Sequence, residues 1–434
     1  LIAVSRPPHD APVLIAGGGI AGLTMALPCH QLGVPTVVLE SARSIEPLGV
    51  GINLQPNAIR ELHDLGFADE LDRVGVEATE WALVARGGND VWAEPRGRAA
   101  GYRWPQYSVH RGQLQVLLYR AVLGRLGSDA VRTAHRVVGY RNDVDGVVVT
   151  VDTRDGATTE VNGSVLLAAD GLHSAVRSQM HRDQPDPQWG GQILWRGATP
   201  GPPIRSGAAF TLVGTLDQRF VHYPISSVDP DTGLQLQNWI AELTVDPSDG
   251  LSASDWNRET DPTVFLPAFE DWTFVWRDLE ALGSGAPAVW EFPMVARDPV
   301  ERWVDGRVCL LGDAAHVMYP VGSNGASQAI VDARVMGAAL LEHGVGSDAL
   351  VAFEDQLLEP MSALVLRNRG HGPIGILGLV DERCGGYFDH IDDVVPRDEI
   401  EQFMSAYKTA AGFAIDALNS APPTIEPGAR VAPV

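Results

Sequence analysis

Residues 13–40 read VLIAGGGIAGLTMALPCHQLGVPTVVLE, and this stretch decides the fold. The apolar run Val13–Ala16 predicts a short buried strand, and the β-branched run Thr36–Leu39 predicts another. A glycine turn and an apolar helix connect the two. Strand, turn, helix and strand in this order indicate the first unit of a doubly wound α/β domain, which is a unit that binds a dinucleotide.

The glycines of the turn have the spacing G-x-G-x-x-G, and each has its own physical role. Gly17 allows the tight turn, Gly19 lets a pyrophosphate approach the backbone, and Gly22 lets the helix pack closely on the strand. The phosphate charge then meets the free N–H groups of the helix N-terminus. Glu40 ends the second strand, where its carboxylate is placed to accept hydrogen bonds from a ribose.

The composition is typical of a soluble globular enzyme of two or three domains, with 434 residues, 45% hydrophobic and 20% charged. The net charge of −23 argues against nucleic acid or an anionic membrane as a partner. The three cysteines have neither disulfide nor metal-ligand spacing, so we expect no metal and a cytoplasmic location. No apolar run is long enough to span a bilayer. Residues 1–11 are expected to form a loose leader.

Several later stretches predict local structure. Pro28 lies inside the first helix and removes a backbone hydrogen bond, so we expect a shortened or bent helix. Residues 77–95 alternate apolar and polar residues around Gly-Gly-Asn-Asp, which predicts a β-hairpin. Residues 131–168 predict three strands. From 183 to 297 β-rich runs prevail and tryptophan is frequent, which predicts a second domain with an open sheet and mostly buried tryptophans.

The expected fold is therefore α/β, with a Rossmann-like nucleotide-binding domain interleaved with a β-sheet substrate domain and followed by C-terminal helices. The last region is expected to be helical, with an interruption at 370–375 and a frayed Pro-rich end. The predicted boundaries are 11–76, 103–182 and 297–345 for the nucleotide-binding domain, 77–102 and 183–296 for the substrate domain, and 346–434 for the helical region.

Two later motifs also place an aspartate at the end of a buried strand. LLAADGLHSAVR contains Asp170 and Gly171, and VCLLGDAAHVMYPVGSNGASQAI contains Asp313 and then a glycine-rich helix start. A carboxylate in such a position is well placed to hold polyol hydroxyls, and the helix start offers N–H groups to an anionic ring. Each aspartate taken alone is also compatible with an ordinary helix N-cap.

With the first motif, these segments resemble the class A FAD-dependent aromatic monooxygenases, which share the p-hydroxybenzoate hydroxylase fold. Within that group, PLGVGINLQPNA, WPQYSVHRGQLQ, LWRGAT, FPMVARDP and the Asp313 segment are similar to the bacterial phenazine hydroxylases of pyocyanin biosynthesis. The similarity extends from Val13 to about Glu359, and the tail beyond it departs from the pattern.

The resemblance implies hydroxylation of a small aromatic or heteroaromatic substrate, such as a phenazine- or salicylate-like compound, with or without loss of a carboxyl group. Family members use NADPH or NADH and O2 and react through a flavin hydroperoxide. They have no separate nicotinamide domain. The residues implied to contact FAD are Gly17, Gly19, Ile20, Ala21, Gly22, Glu40, Ser41, Val50, Arg111, Gln115, Asp170, Gly171, Asp313, Gly325 and Ala326.

Few side chains are expected to act on the substrate itself. Pro320 is expected to wall the cavity above the flavin, and Tyr223 is expected to face the substrate, with Trp195 as a stacking surface. Strand alternation places His222 on the face opposite Tyr223. His316 is expected to be hydrogen-bonded within its own turn rather than catalytic.

Three functional readings differ in their chemistry. The first is the aromatic hydroxylase, and the second is a flavin-dependent epoxidase or halogenase on the same fold. The W-x-W-x-I-P segment of the halogenases is absent, and the sole lysine, Lys408, lies in the tail. The third is a flavin-loaded protein that binds an aromatic ligand without turnover. A monomer or a homodimer is expected, and the exact substrate stays open.

Overall fold

The computed structural model describes residues 11–47, 49–246, 258–272, 279–411 and 415–432. The predicted leader therefore lies outside the described residues, apart from Ala11. The strands are β1 (Val13–Ala16), β2 (Thr36–Leu39), β3 (Gly51–Leu54), β4 (Gly75–Glu77), β5 (Glu80–Val84), β6 (Asp90–Pro95), β7 (Tyr107–His110), β8 (Val131–Arg132), β9 (His135–Asn142), β10 (Val147–Thr153), β11 (Thr158–Gly163), β12 (Leu166–Ala168), β13 (Gln188–Gly201), β14 (Ala209–Gly214), β15 (Gln218–Pro224), β16 (Gln235–Thr244), β17 (Arg258–Glu259), β18 (Trp290–Ala296), β19 (Val304–Asp305) and β20 (Val308–Leu310).

Helices make up much of the remainder and predominate after β20. They are α1 (Ile20–Leu32), α2 (Pro56–Asp64), α3 (Ala68–Val74), α4 (Arg111–Leu126), α5 (Ala175–Met180), α6 (Leu279–Ser284), α7 (Asp313–His316), α8 (Gly325–His343), α9 (Ser347–Asn368), α10 (Gly375–Cys384), α11 (Arg397–Ala411) and α12 (Ile415–Ser420). None of the helices in the described ranges has both the length and the apolar character needed to cross a membrane.

The first sheet, which we call the parallel sheet, has the strand order β19-β20-β12-β1-β2-β8. All its pairs are parallel except β19 with β20. The strand β1 is fully buried, as expected for a parallel strand covered on both faces. Helix α1 packs against α4 and α8, and this group of helices supports the sheet. The predicted Rossmann-like unit is confirmed.

The region 131–168 contains five strands instead of the three predicted. The short strand β8 joins the parallel sheet, β9 to β11 form a separate antiparallel sheet, and β12 returns to the parallel sheet. The prediction failed because β8 has only two residues and so shows no recognisable pattern. A tight turn with Ala134 at φ +56° separates it from β9.

The second sheet, which we call the large sheet, has the strand order β17-β18-β13-β16-β15-β14-β5-β6. The predicted hairpin of residues 77–95 is confirmed as the antiparallel pair β5 and β6 at one edge of this sheet. Trp195 and Trp239 are buried in it, as predicted, whereas Trp256 and Trp276 lie outside the described residues. Helices α10 and α11 cover one face of the large sheet through Leu377 and Ile400.

The expected shortening of α1 is not found, and the expected fraying of the C-terminal end is wrong. Helix α1 continues through Pro28 without shortening, and Pro28 packs where α8 has a glycine, because a Cβ at Gly337 would lie 2.8 Å from its Cβ. The C-terminal end is anchored and not frayed. Ile425 is 2% exposed, and the Val431 N–H donates to the Leu32 carbonyl at 3.1 Å. Contacts with α1 and α8, which local composition cannot reveal, order this segment.

Candidate active site

The three motifs of the sequence meet at one edge of the parallel sheet. Ala16 pairs with Ala168, and Ala168 pairs with Leu310, so the carboxyl ends of β1, β12 and β20 are neighbours. The glycine turn and the two aspartate motifs directly follow these ends. This is the position at which doubly wound sheets bind their ligands.

The glycine turn requires glycine at two positions. Gly17 has φ +96°, and a Cβ on it would lie 2.4 Å from the Ala169 carbonyl oxygen. A Cβ on Gly22 would lie 1.9 Å from the Gly17 carbonyl oxygen, so helix and turn touch there. At Gly19 a Cβ would meet nothing within 4 Å, so the backbone is open to a ligand. These observations fit the pyrophosphate of a dinucleotide.

Two side chains brace the turn from opposite sides. The Glu40 carboxylate accepts the Gly18 N–H and the Ala42 N–H, both at 2.5 Å. The Gln115 side-chain amide donates to the Gly18 carbonyl at 2.8 Å. Ser41 is exposed, and its hydroxyl donates to Glu40 at 3.2 Å. Since a carboxylate oxygen has two lone pairs, Glu40 retains acceptor capacity for a ribose.

Asp170 acts partly as the helix cap that its position also allowed. Its Oδ2 accepts the Ala175 N–H at 3.0 Å, in the first turn of α5. Its Oδ1 is buried and has no hydrogen-bond partner among the described residues. Burial raises the pKa of this carboxyl. Its hydrogen bonds lower the pKa, but burial outweighs them. Gly171 follows with φ +77°. The free buried oxygen fits a hydroxyl of a bound cofactor.

Arg177 belongs to the same motif but had no predicted role. It is 2% exposed, and its guanidinium donates to the carbonyls of Ala314 and Ala315 at 2.8 and 2.6 Å. Another bond goes to the Asp298 carbonyl at 2.9 Å. Arg177 therefore fixes the Asp170 motif to α7, the helix that begins at Asp313.

Asp313 and the start of α8 face each other. The Asp313 side chain is accessible from the crevice, and a Cβ on Gly325 would lie 4.0 Å from its Oδ1. The surrounding protein raises the Asp313 pKa by desolvation, while the charges of His316 and Arg111 lower it. Asn324 precedes α8, but its side chain does not cap the helix. It therefore leaves the first N–H groups of α8, including that of Ala326, for another acceptor.

The His316 side chain bonds outside its own turn, so that part of the prediction is wrong. Its Nε2 lies 2.6 Å from Asp332 Oδ2 in α8, and Asp332 also accepts the Gly312 N–H at 3.0 Å. Burial lowers the His316 pKa, but Asp332 and then Asp313 outweigh that effect, and the pKa is raised. The buried pair has a structural position behind the crevice.

The loop between α7 and α8 is held by the start of α2. The Gln55 side-chain amide donates to the Gly322 carbonyl at 3.1 Å, and the Gln55 N–H donates to Ser327 Oγ at 3.0 Å. Gly322 and Ser323 both have positive φ, at +81° and +56°. Pro320 is exposed in this loop. Its place above a flavin stays a prediction.

The two candidate substrate residues lie on opposite faces of the large sheet. Tyr223 stacks on Phe210 with centroids 4.9 Å apart, and burial raises its pKa to about 12. Trp195 stacks on Phe265 and donates to Glu291 at 2.8 Å on the other face, where His222 pairs with buried Trp239. The two residues therefore do not share a face, and the substrate role of each stays a prediction.

The face with Tyr223 meets the first residues of β3. Gly51 donates its N–H to Asn238 Oδ1 at 2.7 Å and accepts from Arg196 Nη2 at 2.8 Å. Arg111 begins α4, and its N–H donates to the Val50 carbonyl at 2.9 Å. The implied flavin contact Val50 is thus fixed by both parts of the molecule. The segment LWRGAT carries part of the family similarity, but no role was predicted for its Arg196.

Known proteins share these features. Residues 10–209 and 291–353 match the family described as FAD binding domain. Phenazine 1,6-dicarboxylic acid hydroxylase of Lysobacter antibioticus is 41% identical over 362 residues, which are 82% of this chain and 89% of the relative. 3-Hydroxybenzoate 6-hydroxylase 1 of Aquipseudomonas alcaligenes is 31% identical over 365 residues, which are 82% of this chain and 84% of the relative.

A solved structure has the same fold. HpxO of Klebsiella pneumoniae in complex with FAD and uric acid has a TM-score of 0.68 at 24% identity, covering 95% of this chain and 97% of that one. This likeness concerns the fold alone, whereas the family match spans more than half of the chain. The chain therefore belongs to the FAD-dependent aromatic monooxygenases, as its glycine turn and two aspartate motifs predict.

Proposed function

We propose that this enzyme hydroxylates a phenazine-like or related heteroaromatic carboxylate, using NAD(P)H and O2. One oxygen atom enters the ring and the other leaves as water, and NAD(P)H supplies the two electrons. The observation that carries the proposal is twofold: the three cofactor motifs meet at one edge of the parallel sheet, and Gly51 contacts the large-sheet face that holds Tyr223. The identity with the Lysobacter hydroxylase supports the phenazine class.

The cofactor role of each motif follows from its chemistry. Gly17 to Gly22 would hold the FAD pyrophosphate, Glu40 the adenosine ribose, and Asp170 and Asp313 the polyol chain. When bound, the flavin accepts hydride from NAD(P)H and activates O2 for transfer of one oxygen atom. The start of α8 at Gly325 offers N–H groups and a positive dipole end to the negative charge of a reduced ring system.

The protein would contribute positioning and exclusion of water on the substrate side. Tyr223 is neutral below its raised pKa of about 12, so its hydroxyl orients a substrate and does not act as a base. Pro320 would limit the space above the flavin and so restrict water. The domain boundaries given above fit this division, with the nucleotide-binding part on one side and residues 77–102 and 183–296 on the other.

The decisive experiment measures flavin reduction without oxygen, by NADH and by NADPH, with phenazine-1-carboxylate, salicylate or a hydroxypyridine present. The substrate class is the one that accelerates reduction and gives a hydroxylated product once O2 is admitted. Analysis of CO2 release tells whether hydroxylation replaces a carboxyl group. Flavin that NAD(P)H cannot reduce, or reduction without any hydroxylated product from these ring classes, would refute the proposal.

We further propose a cytoplasmic location and a monomer or homodimer. Cys29, Cys309 and Cys384 are free, and burial raises the pKa of the Cys29 thiol to about 12, so it is unreactive. Free thiols suit a reducing compartment. Light scattering after gel filtration gives the oligomeric state, and a tetramer would contradict the proposal. Recovery of the native protein outside the cytoplasm would contradict the location.

A further inference from the structure

Both backbone polar groups of Gly51, which belong to two successive peptide units, are held by side chains of the large sheet. Asn238 in β16 accepts the Gly51 N–H at 2.7 Å, and Arg196 in β13 donates to the Gly51 carbonyl at 2.8 Å. The neighbouring Val50 carbonyl accepts the Arg111 N–H at 2.9 Å. Since a backbone N–H can only donate, the amide oxygen of Asn238 must face it. We call Arg196 and Asn238 the Gly51 clamp.

The clamp depends on close approach of the two parts of the molecule. A Cβ on Gly51 would lie 2.7 Å from Asn238 Cβ and 2.7 Å from Ile225 Cγ2. No side chain other than hydrogen therefore fits there while β3 rests on the large sheet. A small displacement of the sheet face would move the Val50–Gly51 backbone with it.

Arg196 is unusual because its charge has no carboxylate partner among the described residues. Its Nε is buried without a hydrogen-bond partner, and burial lowers its pKa. On the same face of the sheet, Arg219 has the ordinary arrangement, with Glu242 at 2.7 Å. A desolvated guanidinium without a counter-charge destabilises a fold, which indicates that Arg196 serves the site.

Arg196 also connects the clamp to the substrate side. Its positive charge lowers the pKa of Tyr223 against the effect of burial, and Tyr223 pairs directly with Asn238 across β15 and β16. Asn238 Nδ2 is buried and lacks a partner in the described part of the chain. Two buried donors, Arg196 Nε and Asn238 Nδ2, therefore belong to one unit that joins Tyr223 to Gly51.

We propose that Arg196 and Asn238 are positioning residues of the hydroxylation, linking substrate bound at Tyr223 to the flavin edge at Val50. This inference rests on the proposed function. A substrate that contacts Tyr223 changes the surroundings of its strand partner Asn238 and of the Arg196 charge, and these two side chains hold the Gly51 backbone. The consequence is that flavin reduction responds to the substrate through the clamp.

The test compares wild type with Arg196→Met, Arg196→Lys and Asn238→Leu as full-length holoenzymes. Gln237→Leu is the matched control, because Gln237 is a fully buried amide on the same strand as Asn238. Among the described residues its side chain makes one hydrogen bond, which goes to the Pro202 carbonyl. Strand alternation places it on the opposite face. FAD content and thermal unfolding show that each variant is folded. The rate of flavin reduction is then measured with and without phenazine-1-carboxylate.

We expect wild type and Gln237→Leu to show the same acceleration by substrate, and the Met and Leu variants of the clamp to lose about tenfold or more of it, as misplacement near 1 Å does. Arg196→Lys should lose it too, because one ammonium cannot reproduce the planar guanidinium fork. Three results would overturn the inference about the Gly51 clamp. They are full acceleration in the Lys or Leu variant, an equal loss in the control, and no acceleration in wild type.

The visible spectrum of bound FAD separates this inference from the proposed function. A wild type that forms no hydroxylated product refutes the proposed function. Even then, a spectral shift in Arg196→Met and Asn238→Leu, absent from Gln237→Leu, supports the positioning of the flavin edge. Identical spectra in all variants would overturn it.

Discussion

His316 Nε2 and Asp332 Oδ2 lie 2.6 Å apart, with side chains 2% and 1% exposed. This bond joins the segment after Asp313 to the helix that begins at Gly325. Gln328 donates to the other Asp332 oxygen at 3.1 Å, so the carboxylate is held by three groups, counting the Gly312 N–H. These bonds connect the Asp313 motif to the start of α8, the two segments proposed to contact the flavin.

The His316–Asp332 pair predicts a pH-dependent contribution to stability. The folded-state pKa of His316 is raised, so the contribution is fully present below the unfolded histidine pKa of about 6.5 and is lost as the pH rises through the folded value. We expect His316→Asn to destabilise more at pH 5.5 than at pH 9. Urea unfolding of both proteins at the two pH values measures this. A larger difference at pH 9 would contradict the sign.

Asp332→Ala removes the acceptor of all three groups. Breaking a buried, hydrogen-bonded pair costs about 3–5 kcal/mol, so the free energy of unfolding should fall by about that amount. Asp155→Ala is the control, because Asp155 is exposed at a hairpin turn. Thermal unfolding of both variants decides, and a loss no larger than that of the control would refute the structural role.

Gly17→Ala should abolish retention of FAD. An alanine at φ +96° is strained, and its Cβ would lie 2.4 Å from the Ala169 carbonyl oxygen, so the turn must open. Gly124→Ala in α4 is the matched control, since a Cβ there meets nothing within 4 Å. We expect the control to keep FAD and to gain about 0.4–1 kcal/mol of stability. The ratio of flavin to protein absorbance reports the result, and flavin retained in Gly17→Ala would contradict it.

Asp313→Ala should weaken FAD binding without unfolding the protein. A hydrogen bond to a charged group contributes about 1.5–3 kcal/mol, which corresponds to a rise in Kd of about 10- to 100-fold. The accessible position of Asp313 means that the variant leaves no buried partner unsatisfied in the described residues. Flavin titration of the apoprotein gives both constants, and an unchanged Kd would remove Asp313 from the cofactor site.

Trp195 and Tyr223 should respond differently to mutation. Trp195→Phe leaves Glu291 without its buried indole donor and should lower stability by about 1–3 kcal/mol, with little change in KM. Tyr223→Phe removes the hydroxyl on the face toward Gly51 and should raise the KM for the aromatic substrate. Steady-state kinetics and thermal unfolding separate the two effects. A large rise in KM in Trp195→Phe would place the pocket on the other face.

The strand–turn–helix–strand unit could be predicted in detail because its determinants are local. Gly17 is needed for its φ of +96°, and Gly22 because its Cβ would meet the carbonyl oxygen of Gly17, five residues earlier. The order of three such motifs then identified the family and the cofactor. Patterns of this kind survive in the sequence because each residue type is required by backbone geometry.

The faces of the large sheet show where this kind of prediction stops. Within β15, period-two alternation correctly placed His222 opposite Tyr223. It could not relate Tyr223 to Trp195, because that relation depends on how β15, β16 and β13 pair, and one strand's pattern does not contain its neighbours' register. The sequence therefore could not show that Tyr223 and Trp195 lie on opposite faces.

The sequence by itself determined the nucleotide fold, the cofactor class and the edge of the sheet where the motifs meet. The tertiary structure decided which side chains stand between cofactor and substrate. Arg196 and Asn238 reach Gly51 across 145 and 187 residues of sequence. Contacts over such separations arise from the packing of one domain on another, so no local periodicity or spacing records them.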